Sequence, residues 1–273
     1  MAPPPHPTSG NGFANAFVAR VLDDALASGA RVYGICGLQG SGKSTLADQV
    51  AALARARGIR TTTVSLDDFY LERAARAALA RDVHPLLATR GPPGTHDLAL
   101  ACATLDALRA GAAVAVPRFD KIADTRLPRG DWPCVEGTAL TIFEGWCLCT
   151  PAEDAAALAE PVNALERDED RDGAWRSHCN RALARDYPRL WRRIDRLLFL
   201  RPPGFDIVPA WRWQQEQTLQ RAAPPRRRTM SRAEVERFVQ HYERVSRQAL
   251  RTLPAIAQWT VALSADRVPD LAP

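Results

Sequence analysis

Eight consecutive residues, Gly37-Leu38-Gln39-Gly40-Ser41-Gly42-Lys43-Ser44, constrain this chain more than any other stretch. They fit the pattern G-x-x-x-x-G-K-[ST], and they lie between an apolar run at 31–36 that reads as a buried strand and an Ala/Leu-rich helical stretch that closes at Gly58. In that setting the glycines let backbone N–H groups turn inward around phosphate oxygens, and the helix N-terminus adds a favourable dipole. The phosphate-binding set is therefore residues 37–45, ending on Thr45. Lys43 is expected to bridge the β and γ phosphates of ATP, and the Ser44 hydroxyl to ligate Mg2+.

The rest of the chain continues the alternation. Residues 61–66 are β-branched and run into Asp67-Asp68-Phe69-Tyr70; residues 138–143 (TALTIF) and 197–200 (LLFL) read as buried strands, 113–116 as a further one, and 260–263 as a short last one. Helical spacing marks 13–28, 71–80, 98–108 and most of 208–250, with Pro224-Pro225 as an interruption. Strands alternating with helices require crossover connections and a mainly parallel sheet. The expected fold is α/β, a three-layer α/β/α P-loop NTPase with a helical lid region. Residues 13–273 read as one domain with a lid near 222–230, and the Pro/Gly/Ser-rich residues 1–12 as a flexible tail.

Composition excludes several classes. Hydrophobic residues at 46% and charged residues at 25% fit a folded globular protein, and no run approaches the ~18 apolar residues of a membrane span. The six cysteines show no CxxC pair and no zinc spacing, and no secretory pattern opens the chain, which points to free thiols in the cytoplasm. The net charge of +5 raises the question of nucleic acid, yet no recognition helix or basic stripe interleaved with aromatics is present. Residues 201–252 hold eleven arginines against five carboxylates, so the surplus is local. Of 36 basic residues only Lys43 and Lys121 are lysine.

A magnesium–nucleotide site needs a second anionic ligand at the end of an adjacent buried strand. Glu144, directly after an apolar run and before a turn at Gly145 and Trp146, supplies it. Asp67 and Asp68 follow the second strand, at the sheet edge where open α/β sheets bind ligands. Either carboxylate can accept a proton from an attacking hydroxyl or share the metal, and the other is then a turn or cap residue.

The set GLQGSGKST, SLDDFY, HPLLATRGPPGTHD, PRFDKIADTR, FEGWC, PVNALERDED with a following GAWR, WRWQQE and YERVSR resembles the D-glycerate 3-kinase family of plants and its fungal and bacterial relatives, within the phosphoribulokinase/uridine kinase/pantothenate kinase group. The resemblance runs in order over residues 31–263. It implies transfer of a phosphoryl group from ATP to D-glycerate, with Asp67 as the catalytic aspartate and possible third metal ligand, Lys43 as the phosphate-binding catalytic lysine, and Mg2+ on Ser44 and Glu144. Where uridine kinases carry P-x-Y-D-x-x-x-H-x-R, this chain has Phe119 and Asp124 at the tyrosine and histidine places, against a nucleoside acceptor.

The same segment gives Lys121 a task as a cation for a substrate carboxylate, with Arg90, His96 and Arg126 as the other candidates. Each has a structural alternative: Arg90 as a solvated loop residue, His96 as a helix cap, Lys121 or Arg126 paired with Asp120 or Asp124. Arg226, Arg227 and Arg228 resemble a mobile lid, the alternative being an exposed basic loop. The polar run at 163–175 matches the family pattern, and its plainer reading is a capped surface loop. The expected partner is a small-molecule sugar acid, with no nucleic acid and no membrane; oligomeric state is left open. Two other readings compete: a P-loop kinase for another hydroxylated metabolite, pantothenate- or nucleoside-like, and a non-catalytic ATP-dependent regulatory or binding protein.

Overall fold

Residues 32–37 and, apart from Glu144, 140–145 are apolar or small, with no alternation, so both of their faces must be covered. In the computed structural model, which describes residues 12–222 and 230–271, they form β1 (Val32–Gly37) and β7 (Leu140–Gly145), every residue of which is buried. They pair in parallel at the centre of a five-stranded sheet completed by β2 (Thr61–Ser65), β8 (Arg196–Arg201) and β9 (Trp259–Ala262), in the order β2-β7-β1-β8-β9. All four pairings are parallel.

Side-chain alternation sorts the core into two layers. Tyr33 and Ile35 of β1 point to the side covered by α1 (Asn15–Ala27) and α2 (Lys43–Ala56), through Val21, Leu22, Leu46 and Val50. Val32 and Cys36 point to the other side. There lie α4 (Leu98–Arg109), α6 (Ala174–Arg185), α7 (Pro188–Trp191) and α9 (Arg232–Ile256). The remaining helices are α3 (Arg73–Asp82), α5 (Ala164–Glu169) and α8 (Val208–Ala222). Among the described residues no helix is long and apolar enough to cross a membrane.

Three sequence expectations need correction. The strand expected at 113–116 does not join the sheet: Val114–Ala115 (β3) pairs only with Cys134–Val135 (β6), because Gly111 and Pro117 leave too short a half-exposed run. Phe119–Asp120 (β4) and Thr125–Arg126 (β5) form a separate hairpin. Glu144 is the penultimate residue of its strand, which ends at Gly145, so the turn begins one residue later than expected, at the buried Trp146.

The polar run, third, is no simple surface loop: Asn163 caps a short helix, α5, whose exposed face carries Arg167, Asp168 and Glu169 while two acids of the run turn inward. Glu166 on α5 and Asp170 just after it are buried, each against an arginine. Arg244 of α9 donates to both Glu166 oxygens, at 2.8 and 2.6 Å, and its other N–H groups reach Glu153 and the Ala157 and Glu160 carbonyls. Every donor of that guanidinium is thereby used. Arg176 Nη1 meets Asp170 at 2.9 Å, and Asn163 caps α5 while its amide donates to the Gln240 carbonyl and Glu243 of α9. A charge is buried only where it is paired, and these partners lie about 70 residues or more from α5 in sequence for α9, beyond any local pattern.

Candidate active site

The phosphate loop leaves β1 and enters α2 through glycines at positive φ. A Cβ on Gly40, at φ +79°, would lie 2.5 Å from that of Trp211 on α8, so only glycine lets the loop pack there. Arg267 braces the same residue, donating Nε to the Gly40 carbonyl at 2.5 Å with its guanidinium 4.9 Å over the Trp211 ring.

Parallel register sets Glu144 opposite Ile35 of β1 and Ser65 of β2, beside the loop. Ser44 Oγ donates to Glu144 Oε1 at 2.9 Å, and Lys43 Nζ stands 4.0 Å from Oε2. Oε2 is buried without a hydrogen-bond partner, as are Ser41 Oγ and both side-chain polar atoms of Gln39. Unmatched oxygens from a hydroxyl and a carboxylate, next to a lysine and a glycine loop, suit a hard divalent cation bound with phosphates.

The two aspartates after β2 part company. Asp67 accepts from Tyr70 Oη at 2.6 Å on one oxygen and from Lys121 Nζ at 2.6 Å on the other. Asp68 turns away, accepting from Phe119 N at 3.0 Å and Arg118 Nη1 at 3.2 Å. Burial alone would raise the Asp67 carboxyl, but the charges of Lys121 and Lys43 and two hydrogen bonds hold it below the usual carboxylate range. Burial outweighs Arg118 at Asp68 and pushes that carboxyl up. Lys121 is shifted up, since the Asp67 charge and hydrogen bond overcome the opposing effect of burial.

The other predicted residues fall around Asp67, in different states. Arg90 pairs with Asp124 at 2.5 Å and donates to the Lys121 carbonyl at 2.9 Å. Arg126 Nη2 donates to the Tyr70 carbonyl at 3.0 Å and approaches Asp97 at 3.5 Å. His96 is buried with Nδ1 2.6 Å from Tyr187 Oη; Asp97, not His96, caps α4. The pairings proposed from sequence for Lys121 and Arg126 therefore do not form: Asp124 takes Arg76 and Arg90, and the Asp120 carboxylate accepts from the Ile122 and Ala123 backbone. Arg226, Arg227 and Arg228 lie outside the described residues.

Two residues of this shell lie in motifs quoted from the sequence but have no role assigned there. Tyr70, in the DDFY run, orients Asp67, and Tyr242, from α9, donates to the Arg90 carbonyl at 2.9 Å. Gly91 makes that contact possible, because at φ +113° its absent Cβ would fall 2.1 Å from Tyr242 Oη. Tyr242 sits two residues before Arg244, so the buried network around α5 also sets the helix that reaches the site.

Burial brings the imidazoles of His96 and His241 down to about 4. An unfolded histidine titrates near 6.5, so between those values the unfolded chain binds more protons and stability rises with pH. The contribution is complete above about pH 6.5 and is lost as pH falls toward 4. Urea unfolding at pH 7 and pH 5.5 tests this: His241→Gln should lessen the acid-side loss by about 1 kcal/mol relative to the unsubstituted chain. An unchanged loss would mean that the folded His241 is not held neutral.

No family model matches the chain. It is 34% identical over 223 residues to the uncharacterized kinase mug58 of Schizosaccharomyces pombe, covering 77% of this chain and 78% of that protein. It is 31% identical over 239 residues to the chloroplastic D-glycerate 3-kinase of Arabidopsis thaliana, over 82% of this chain but 48% of the plant protein, about half its length. Among solved structures, D-glycerate 3-kinase from Cryptococcus neoformans var. grubii superposes with a TM-score of 0.74 at 26% identity, covering 93% of this chain and 95% of that one.

Proposed function

The chain belongs to the D-glycerate 3-kinase family of P-loop kinases, and from that premise we propose that it transfers the γ-phosphoryl group of ATP to the primary hydroxyl of D-glycerate, giving 3-phosphoglycerate. The observation that carries this reading is the juxtaposition at one sheet edge of a phosphate loop, a carboxylate beside Ser44 and a second carboxylate, Asp67, oriented by Tyr70. The same reading treats residues 13–273 as one kinase domain.

Residues 37–45 cradle the ATP phosphates in this reading, with Lys43 on the β and γ groups. Ser44 and Glu144, with Asp67 as a third ligand, would hold Mg2+, which when bound would neutralise charge on the transferring group. Asp67 receives the acceptor hydroxyl and takes its proton. A carboxyl held low is a weak base, so its main service is orientation, which suits a transfer whose transition state asks for alignment more than for early proton removal. Phe119, at the place of the uridine kinases' tyrosine, lies edge-on to Tyr70 at 5.2 Å and under Arg90, which favours a small acceptor over a nucleoside.

A panel of acceptors with magnesium-ATP tests the assignment. D-Glycerate should yield 3-phosphoglycerate with a kcat/KM at least about tenfold above pantothenate or uridine, a gap of ~1.4 kcal/mol in transition-state binding. Turnover of another acceptor in its place would remove the glycerate reading and keep the kinase. ATP binding without transfer to any of them would favour the regulatory alternative.

A further inference from the structure

Of the four side chains that the sequence offers for the acceptor's anionic end, two are already committed. Arg90 lies on Asp124 at 2.5 Å and Lys121 on Asp67 at 2.6 Å. His96 and Arg126 differ, because each keeps one buried nitrogen without a partner, Nε2 of His96 and Nε of Arg126. Both residues adjoin Tyr70. His96 bridges its backbone, with the rings 5.0 Å apart, and Arg126 donates Nη2 to its carbonyl.

The other ring nitrogen of His96 decides where its proton sits. Tyr187 Oη accepts from the Gly94 N–H at 3.2 Å and stands 2.6 Å from His96 Nδ1. If Nδ1 carried the proton, the fully buried Tyr187 hydroxyl would have no acceptor for its own, so Tyr187 donates and Nδ1 accepts. The neutral imidazole is therefore protonated at Nε2. Burial keeps the ring neutral at pH 7, and the Asp67 charge is near enough to act on it. Nε2 is the ring nitrogen not engaged by Tyr187, and it is buried without a partner.

Resting on the reading of this chain as a D-glycerate kinase, we propose that His96 Nε2–H, with Arg126 Nε–H as a second donor, binds the carboxylate of the acceptor. A carboxylate only accepts, and these two groups only donate. An uncharged imidazole also leaves the Asp67–Lys121 pair intact, whereas a second cation there would compete for Asp67. The tautomer set by Tyr187 thus becomes a specificity determinant for short hydroxy acids, and Lys121 serves Asp67.

The test uses the full chain. His96→Phe keeps a ring against Tyr70 and removes the donor, so KM for D-glycerate should rise roughly 10- to 150-fold, the loss of one hydrogen bond to a charged group, with KM for ATP little changed. Tyr187→Phe keeps the imidazole but frees its tautomer. It should raise KM for D-glycerate less, and 15N-resolved NMR should show a mixture of protonation sites where the unsubstituted chain shows Nε2–H. Saturation with D-glycerate should move the Nε2 resonance. The proposal is overturned if His96→Phe leaves KM for D-glycerate unchanged, if the free imidazole is protonated at Nδ1, or if Nε2 does not respond to D-glycerate. Should His96→Phe fail to fold, Tyr187→Phe and the NMR signal decide. Failure of the unsubstituted chain to turn over D-glycerate would overturn the functional reading and this proposal together; turnover with an indifferent His96 would overturn this proposal alone.

Discussion

Asp67→Asn should lower kcat by about 10³, within the roughly 10²- to 10⁴-fold range of a positioned proton acceptor, while ATP affinity stays within a few-fold. The amide is the same size and still accepts from Tyr70 Oη, so the 2.6 Å contact that orients it is kept. What is lost is the negative charge that pairs with Lys121 and, on the proposed role, would meet the acceptor hydroxyl. Asp68→Asn supplies the contrast: its oxygen can still accept from Phe119 N, and its loss of charge falls on Arg118, so kcat should change less than about tenfold. Coupled turnover assays with nucleotide binding measured separately distinguish the two. A near-normal rate for Asp67→Asn beside a dead Asp68→Asn would reverse the assignment.

The pH profile gives an independent check on the same residue. On the proposed role Asp67 works as the carboxylate, and its carboxyl is held below the ordinary range, so activity should be lost only as pH falls below that range. Between pH 5 and 8 kcat should show no acid limb from this group.

Glu166→Gln should be the costliest of these changes for the fold. It removes the charge that faces Arg244 with both partners buried, at 1% and 8% side-chain exposure, and leaves that guanidinium with Glu153 as its remaining carboxylate. Breaking one side of a buried pair costs about 3–5 kcal/mol, and Glu153 places the expectation near the lower end, about 3 kcal/mol. For a chain of this size that is a fall in Tm of roughly 6–12 °C. The purified variant should still turn over at low temperature, because Glu166 touches α9 and not the phosphate loop. Replacing both partners together, Glu166→Leu with Arg244→Met, should recover much of the loss, since the penalty comes from a stranded charge. A Tm within 2 °C of the unsubstituted chain for Glu166→Gln, by roughly the same scaling, would show that the network carries no weight.

Much of the fold is legible in sequence, because the signals that specify it are local. The phosphate loop is a contiguous set flanked by its own strand and helix, the strands of the sheet read as short apolar or β-branched runs, and alternation with helices requires parallel pairing. The short run at 113–116 misled for the same reason, since a β-branched stretch carries no information on which sheet it joins. At the site, local pattern brings Lys43, Ser44, Asp67, Asp68 and Glu144 to one edge and cannot choose between adjacent aspartates.

That choice belongs to residues distant in the chain. Lys121 and Arg118, fifty or more positions away, divide Asp67 from Asp68. Asp124 takes Arg90 and Arg76, Tyr187 takes one nitrogen of His96, and α9 carries Tyr242 to the Arg90 carbonyl and Arg244 to Glu166. By itself the sequence determined the family, the sheet and the phosphate-binding loop. Only the tertiary structure decided which of the adjacent aspartates Tyr70 and Lys121 hold, which basic groups keep an unpartnered nitrogen, and why Glu166 and Asp170 of the polar run at 163–175 are buried. The reason is physical: periodicity and loop chemistry act over a few residues, whereas the pairing of a buried charge depends on what packing brings within 3 Å of it.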